Sequence, residues 1–271
     1  MTGPGADASS PETAPERVDP PEQWRDFRRA RHAELAEPFG WLCLTGFHWL
    51  PQDPSPLPGL PGRWSADAAR ARVEAEAGEL LMLDGTELDG RSEQSVAPTA
   101  RAPWLEYEGA RIEVLNRGGR YAIRIRVAST PQREAFTSVP TFAWDENWVI
   151  EADFHPYDPE RIIDVATIRA DLRQQLTAVG EVHFSLGGQV QRLAATRIKD
   201  GMSIEFHDPT NGEATPAWRQ LKFDDPVDGR VCLDFNRTID MWFAFTGYAT
   251  CPAPLDGQAI TVPVTAGEML A

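Results

Sequence analysis

The sequence predicts a mainly β (α+β) fold, an antiparallel β-barrel or strongly bent β-sandwich preceded by an N-terminal helix. Three observations carry that expectation. From Trp64 onward apolar residues recur mostly with a period of two, the spacing at which alternate side chains share one face of a strand. Strand-like runs follow one another at intervals of roughly 10–25 residues with little helical pattern between them. Small turn-forming pairs, Gly118-Gly119, Gly187-Gly188 and Asp200-Gly201, fall where hairpins need positive backbone angles. So many strands need protected edges, which favours a barrel or a bent sandwich over one flat sheet.

The elements follow in order. Residues 1–20 are rich in Pro, Ala, Ser and Glu and nearly devoid of apolar side chains, so they cannot offset the entropy of ordering and read as an unstructured tail. From Pro21 a helix is expected: Trp24, Phe27, Ala30 and Leu35 lie near helical spacing with arginines between them, and Pro38 and Gly40 stop it. Residues 40–52, GWLCLTGFHWLPQ, form either a strand or a buried turn, and the following PSPLPGLPG is a loop packed through Leu57 and Leu60. Strands are expected at Arg72–Ala77, Arg111–Leu115 and Tyr121–Val127, the last with Ile123, Ile125 and Val127 on one face and Arg124 and Arg126 on the other. Further strands are expected at Trp148–Phe154, Glu181–Leu186, Arg192–Ile198, Ser203–Phe206 and Val231–Phe235. Residues 167–177 read either as a short helix or as an irregular strand. With no internal repeat and no second linker, residues 21–271 are expected to form a single β-rich domain.

Composition narrows the function. The chain has 271 residues and a formal net charge of −15, which argues against nucleic acid or an anionic membrane as partner. No apolar run is long enough to span a bilayer, and the N-terminal residues lack the apolar stretch of a secretion signal, so a cytoplasmic location is expected. Cys43, Cys232 and Cys251 are far apart and odd in number, unlike a disulfide framework or a zinc knuckle. Of 26 basic residues only Lys199 and Lys222 are lysine. No phosphate-binding P-loop, dinucleotide glycine motif or serine-nucleophile elbow is present, so no nucleotide cofactor is expected; a flavin or haem, which β-barrels hold without a linear motif, stays open beside the reading without cofactor.

The C-terminal third carries ordered phrases: Asp208, Thr210, Gly212, Thr215, Arg219 and Leu221, then Asp234-Phe235-Asn236, then Tyr248, Cys251 and Pro252, then Ala266-Gly267-Glu268. With GWLCLTGFHWL near the N-terminus, these resemble the bacterial and archaeal domain-of-unknown-function family numbered 1684, over about residues 24–269. Two positions depart from the resembled pattern. Its Asn-Pro-x-Cys is here Asp240-Met241-Trp242-Phe243, so the cysteine is gone, and its Thr-Tyr is Thr215-Pro216. The resemblance implies a fold and a polar cluster and supplies no reaction.

That cluster gives the first set of candidates: Arg219, Asp234, Asn236 and Tyr248 as catalytic residues, with Asp208, Glu268, Trp218, Trp242 and His48 as substrate-binding ones. Carboxylates serve as acid and base where burial or a neighbour shifts them, and an arginine clamps a carboxylate with two donors. The same residues have a structural reading, in which Asp208 bonds its own turn amides and Arg219 ties loops together. The expected protein is therefore a small-molecule binder, an acid/base enzyme without cofactor acting on a small organic molecule. The alternatives are a non-catalytic ligand-binding or interaction protein, and a metalloenzyme. The metal reading rests on His155, His183 and His207, each on the polar face of a strand-like segment, whose spacing matches no linear ligand motif.

Overall fold

The computed structural model describes residues 19–270, so the expected tail lies outside the described residues but for Asp19 and Pro20. The expected helix is present as α1 (Glu22–Ala36). A short 3-10 turn, Trp41–Cys43, leads into β1 (Leu44–Trp49), so the GWLCLTGFHWL segment is both turn and strand. Where a loop was expected, the chain forms β2 (Ser55–Leu57) and enters β3 (Leu60–Ala66), with Leu57 of β2 and Leu60 of β3 packed against the core. Then come β4 (Ala71–Ala75), β5 (Met82–Leu83), β6 (Thr86–Glu87), β7 (Gly90–Gln94), β8 (Arg101–Tyr107), β9 (Ala110–Arg117) and β10 (Arg120–Val127). A short helix α2 (Pro131–Ala135) precedes the second half: β11 (Val149–Ala166), β12 (Arg173–Leu186), β13 (Gln189–Arg197), β14 (Met202–Phe206), β15 (Arg219–Phe223), β16 (Arg230–Asp234) and β17 (Ile239–Asp240). Residues 167–172 are the turn between β11 and β12, and the ambiguous 167–177 stretch resolves into that turn plus the start of β12.

The fold is mainly β, with antiparallel sheets and one long N-terminal helix. Among the described residues there are three sheets: six strands in the order β1-β10-β9-β8-β5-β6, four in the order β2-β3-β4-β7, and seven in the order β16-β11-β12-β13-β14-β15-β17. None closes on itself by hydrogen bonds. The six- and four-stranded sheets share one core, in which Trp64 and Val73 meet Ile112, Val114 and Ile123. The β9–β10 hairpin turns on Gly118 and Gly119, both at positive φ, which sets the register that places Ile123 opposite Val114.

The seven-stranded sheet bends around a second core, which includes Phe154, Val182, Phe206, Leu221, Leu233 and Phe235. Its bend brings β15 alongside β16 although the two exchange no ladder hydrogen bonds, leaving an open seam. The alternation in β10 joins the two halves. Arg124 and Arg126 face away from the first core but are also buried. Arg124 donates to the Tyr248 carbonyl (3.2 Å) and to Thr250 Oγ1 (3.0 Å), while Arg126 donates to Glu113 (2.9 Å) and to the Phe39 and Gly40 carbonyls. Burial pushes the Arg124 guanidinium down to about 10, against the pull of Glu113. Among the described residues, no helix is long and apolar enough to cross a membrane.

Candidate functional site

The C-terminal phrases fold into a buried network of charges. Asp208 opens the turn after β14. Its carboxylate accepts from the Thr210 amide (3.1 Å) and hydroxyl, and from the Val264 amide (2.8 Å). Arg219, the first residue of β15, is completely buried; it donates to Asp208 (3.1 Å) and to the carbonyls of Val264 (2.8 Å), Ala266 (2.7 Å) and Glu268 (3.3 Å). Desolvation draws its guanidinium below the usual range, and Asp208 opposes that shift. Gly267, at φ 79°, allows the C-terminal segment to press on Thr238, whose carbonyl would lie 2.5 Å from an added Cβ. This approach aims Glu268 inward, where it accepts from Arg28 (2.9 Å) and Arg31 (3.1 Å) of α1 and from the Asp240 amide (2.8 Å).

These partners account for several expected site residues. Arg219, Asp208 and Glu268 are tied to one another's surroundings and have no exposed side-chain surface with which to meet a ligand. Asn236 is likewise engaged: its amide accepts from the Asp145 N–H (3.1 Å) and donates to the Asp145 carbonyl (3.0 Å) and to Asp234 (3.0 Å). Arg219, Asp234, Asn236 and Tyr248, expected together as catalytic residues, do not meet in one open site. A strand pattern places residues on a face, but here that face is covered by α1, by the turn around Asp145 and by the returning C-terminus.

One buried group escaped the sequence reading. Asp240 is 2% exposed, and its Oδ1 finds no hydrogen-bond partner among the described residues. Burial, then repulsion from Glu268, pushes its carboxyl up to about 7, against the attraction of Arg219, Arg31 and Arg28. Its signal in the sequence was the departure from the resembled pattern, which has a neutral asparagine there.

The open seam of the seven-stranded sheet, roofed by α1, forms a cleft of about 710 Å3. Its lining includes Trp24 and Phe27 of α1, Phe223 of β15, Cys232 and Asp234 of β16, and Trp144 and Arg237. Asp234 caps the 3-10 turn Phe235–Arg237 by accepting from the Asn236 amide (3.1 Å), and its other oxygen lies 3.2 Å from Arg237 Nε. Its side chain keeps 23% of its surface exposed, so this carboxylate reaches the cleft. The Arg237 guanidinium sits over the Phe27 ring at 5.7 Å. The chemistry assembled is aromatic walls edged by charges of both signs, with Asp234 and Arg237 beside Arg31, Glu34, Asp200, Lys222 and Asp224.

The other expected residues lie elsewhere. Tyr248 and His48 meet across a second hollow of about 560 Å3, alongside Phe47, Tyr107 and Glu108. Burial lowers the His48 pKa, so its imidazole there favours the neutral form. Trp242 is spent on a stack, parallel to Trp41 at 4.6 Å with Arg31 over its ring at 4.7 Å. Trp218 packs on Phe243 at 4.3 Å and donates to Met241 Sδ, so Phe243 fills an apolar cluster that also holds Cys251.

The three histidines do not converge. His155 and His183 lie 4.1 Å apart ring to ring, with His183 bonded to Glu181 (2.9 Å), because β11 and β12 pair in the register Asp153–His183. His207 instead bonds the Ala217 carbonyl (2.9 Å), since the chain leaves β14 there to pair with residue 259. Among the described residues, no group of three or more His, Cys, Asp or Glu side chains is placed to hold a metal ion.

A family profile described as "Protein of unknown function (DUF1684)" matches residues 134–269. The chain belongs to that family. The DUF1684 match takes in the second half of the fold, with Asp208, Arg219, Asp234, Asn236, Tyr248 and Glu268; α1 and the first two sheets lie outside it. One wall of the cleft is thus within the DUF1684 region and the α1 wall is not. No curated protein matches the chain. An uncharacterized protein of Haloarcula marismortui, solved in solution by NMR, is 25% identical to it, with a TM-score of 0.44, over 52% of this chain and 80% of that one.

Proposed function

We propose that this protein binds a small organic molecule in the cleft between α1 and the seam of the seven-stranded sheet. The observation that carries the reading is the cleft itself: about 710 Å3, within the size range of small-molecule sites, with aromatic walls and a few convergent polar groups. Its chemistry suits a partly apolar, planar ligand held between Trp24, Phe27 and Trp144, with a polar end at the Asp234–Arg237 pair. Any acid/base step on that ligand falls to Asp234, the one carboxylate expected from the sequence that lines this cleft. A thermal-shift screen of small aromatic acids and amines tests the reading. Hits are expected to raise the melting temperature of the wild type and to lose that effect in Phe27→Ala and Asp234→Asn. Hits that stabilise both variants as well as the wild type would refute it.

A further inference from the structure

The cleft has charged groups at both ends that the fold leaves open, and the two ends differ in sign. At one end stand Asp200, in the turn between β13 and β14, and Asp224, just past β15. Gly201 brings them together. A Cβ there would lie 2.5 Å from the Phe223 carbonyl oxygen and 3.5 Å from Asp224 Cα, so the turn presses on the end of β15. Both carboxylates are exposed, and among the described residues neither has an ion-pair partner, whereas the neighbouring Asp225 takes Arg197. Lys222, near the same end of β15, is the only cation beside them in the lining, so two carboxylates face one ammonium.

At the other end is Arg237. Its Nε lies 3.2 Å from Asp234, and 38% of its side chain is exposed. Among the described residues neither of its terminal nitrogens donates a hydrogen bond. Asp234 is already served by the Asn236 backbone amide (3.1 Å) and side-chain amide (3.0 Å), so the outer edge of the guanidinium stays free for an acceptor. The separation of the two ends follows from topology. Every strand from β16 round to β15 opposes its neighbour, so β15 and β16 run in opposite directions along the seam. Asp224, past the end of β15, and Asp234, the last residue of β16, therefore lie at opposite ends, separated by the length of a five-residue strand, roughly 13 Å. Phe27, under the Arg237 guanidinium, and Phe223, between Lys222 and Asp224, supply apolar wall along that length.

We infer that the cleft takes a two-ended zwitterion, an aromatic body with an ammonium group at the Asp200–Asp224 end and a carboxylate at Arg237. The inference rests on the cleft being the binding site and adds the class of ligand. A ligand with a carboxylate alone enters a protein of net charge −15 and leaves the two aspartates without a partner. A ligand with an amine alone covers Arg237 with apolar surface and leaves its terminal donors unsatisfied. A ligand carrying both groups, separated by a planar spacer, meets both ends at once. An amino acid with both groups on one carbon reaches only one end.

Isothermal titration calorimetry of the full chain at neutral pH measures this with four probes. They are para-(aminomethyl)benzoate, charged at opposite ends of its ring; benzylamine and para-toluate, each with one of those charges; and phenylalanine, with both on one carbon. The two-ended probe is expected to bind at least about tenfold more tightly than each of the others. The exposed pair of changes Asp200→Asn and Asp224→Asn, made together, is expected to weaken that probe and benzylamine about tenfold and to leave para-toluate unchanged. Arg237→Gln is expected to weaken the two-ended probe and para-toluate and to leave benzylamine unchanged. A two-ended probe no tighter than benzylamine and para-toluate on the wild type overturns the inference, as does an aspartate variant that weakens acid and amine equally. If one-ended probes still bind and lose affinity in Phe27→Ala, the cleft stands and only the two-ended ligand falls. If no probe binds, or Phe27→Ala binds them all as the wild type does, both readings fall.

Discussion

Replacing Asp240 by asparagine removes a buried carboxyl that the fold pushes far above its ordinary value. The substitution keeps the shape of the side chain and deletes its titration. In the folded chain the carboxyl sits at about 7, against an unfolded value near 3.8. Where a folded-state pKa is raised, the native state keeps a proton that the unfolded state has released, so stability falls as pH rises between the two values. A separation of about three units at 1.36 kcal/mol each amounts to about 4 kcal/mol. Urea unfolding of both proteins from pH 4 to pH 9 measures it. At pH 4 the two should differ only by a constant offset. The variant should then gain on the wild type by about 1.4 kcal/mol per pH unit, until the advantage levels off above pH 7 at about 4 kcal/mol. A stability difference that stays flat between pH 5 and pH 8 would show that Asp240 is not held protonated by its surroundings.

Other substitutions separate structural ties from the site. Arg219→Ala strands buried Asp208 and three carbonyls, and is expected to cost about 3–5 kcal/mol in chemical denaturation. Glu268→Gln leaves Arg28 and Arg31 without their carboxylate; a similar loss is expected, with the α1 peptide losing exchange protection first. Asp234→Asn weakens the cap of a short turn and should cost only about 1 kcal/mol, while ligand affinity falls at least about tenfold. Burial raises the thiols of both Cys232 and Cys251, the latter to about 11, but Cys232 is exposed and lines the cleft whereas Cys251 is buried. Iodoacetamide at pH 8 should therefore modify Cys232 in the native protein and Cys251 only on unfolding, and a cleft ligand should slow the first reaction.

The sequence made the second half of the fold the more legible one. Arg192–Ile198 alternates because one face meets a core, while Ser203–Phe206 alternates between apolar core residues and a buried polar pair, Ser203 and Glu205, and Gly187-Gly188 and Asp200-Gly201 mark their turns. The short strands β2, β5 and β6 were hidden because two or three residues carry no period. The site was harder to read for a different reason. Periodicity says which residues share a face and not what covers that face. Asp234 ends β16 and Asn236 lies in the 3-10 turn that follows; their side chains bond at 3.0 Å, yet the turn at Asp145 buries one and the cleft exposes the other. Arg219 and Glu268 stand out equally as catalytic residues or as buried ties, since both roles call for charge paired with charge. The α1 wall of the cleft comes from residues that read simply as an amphipathic helix, with Trp24 and Phe27 as its apolar members. The seam arises from non-local packing of β15 beside β16, which no local pattern encodes.

The most direct test of the ligand-binding reading is an NMR titration of the full chain with a library of small aromatic fragments, read at the tryptophan indole N–H signals. Binding in the cleft is expected to shift Trp24 and Trp144 together, leave Trp64 and Trp104 of the first core unmoved, and weaken in Phe27→Ala. Fragments that bind and shift neither Trp24 nor Trp144, or that gather at the hollow beside His48 and Tyr248, would contradict the account.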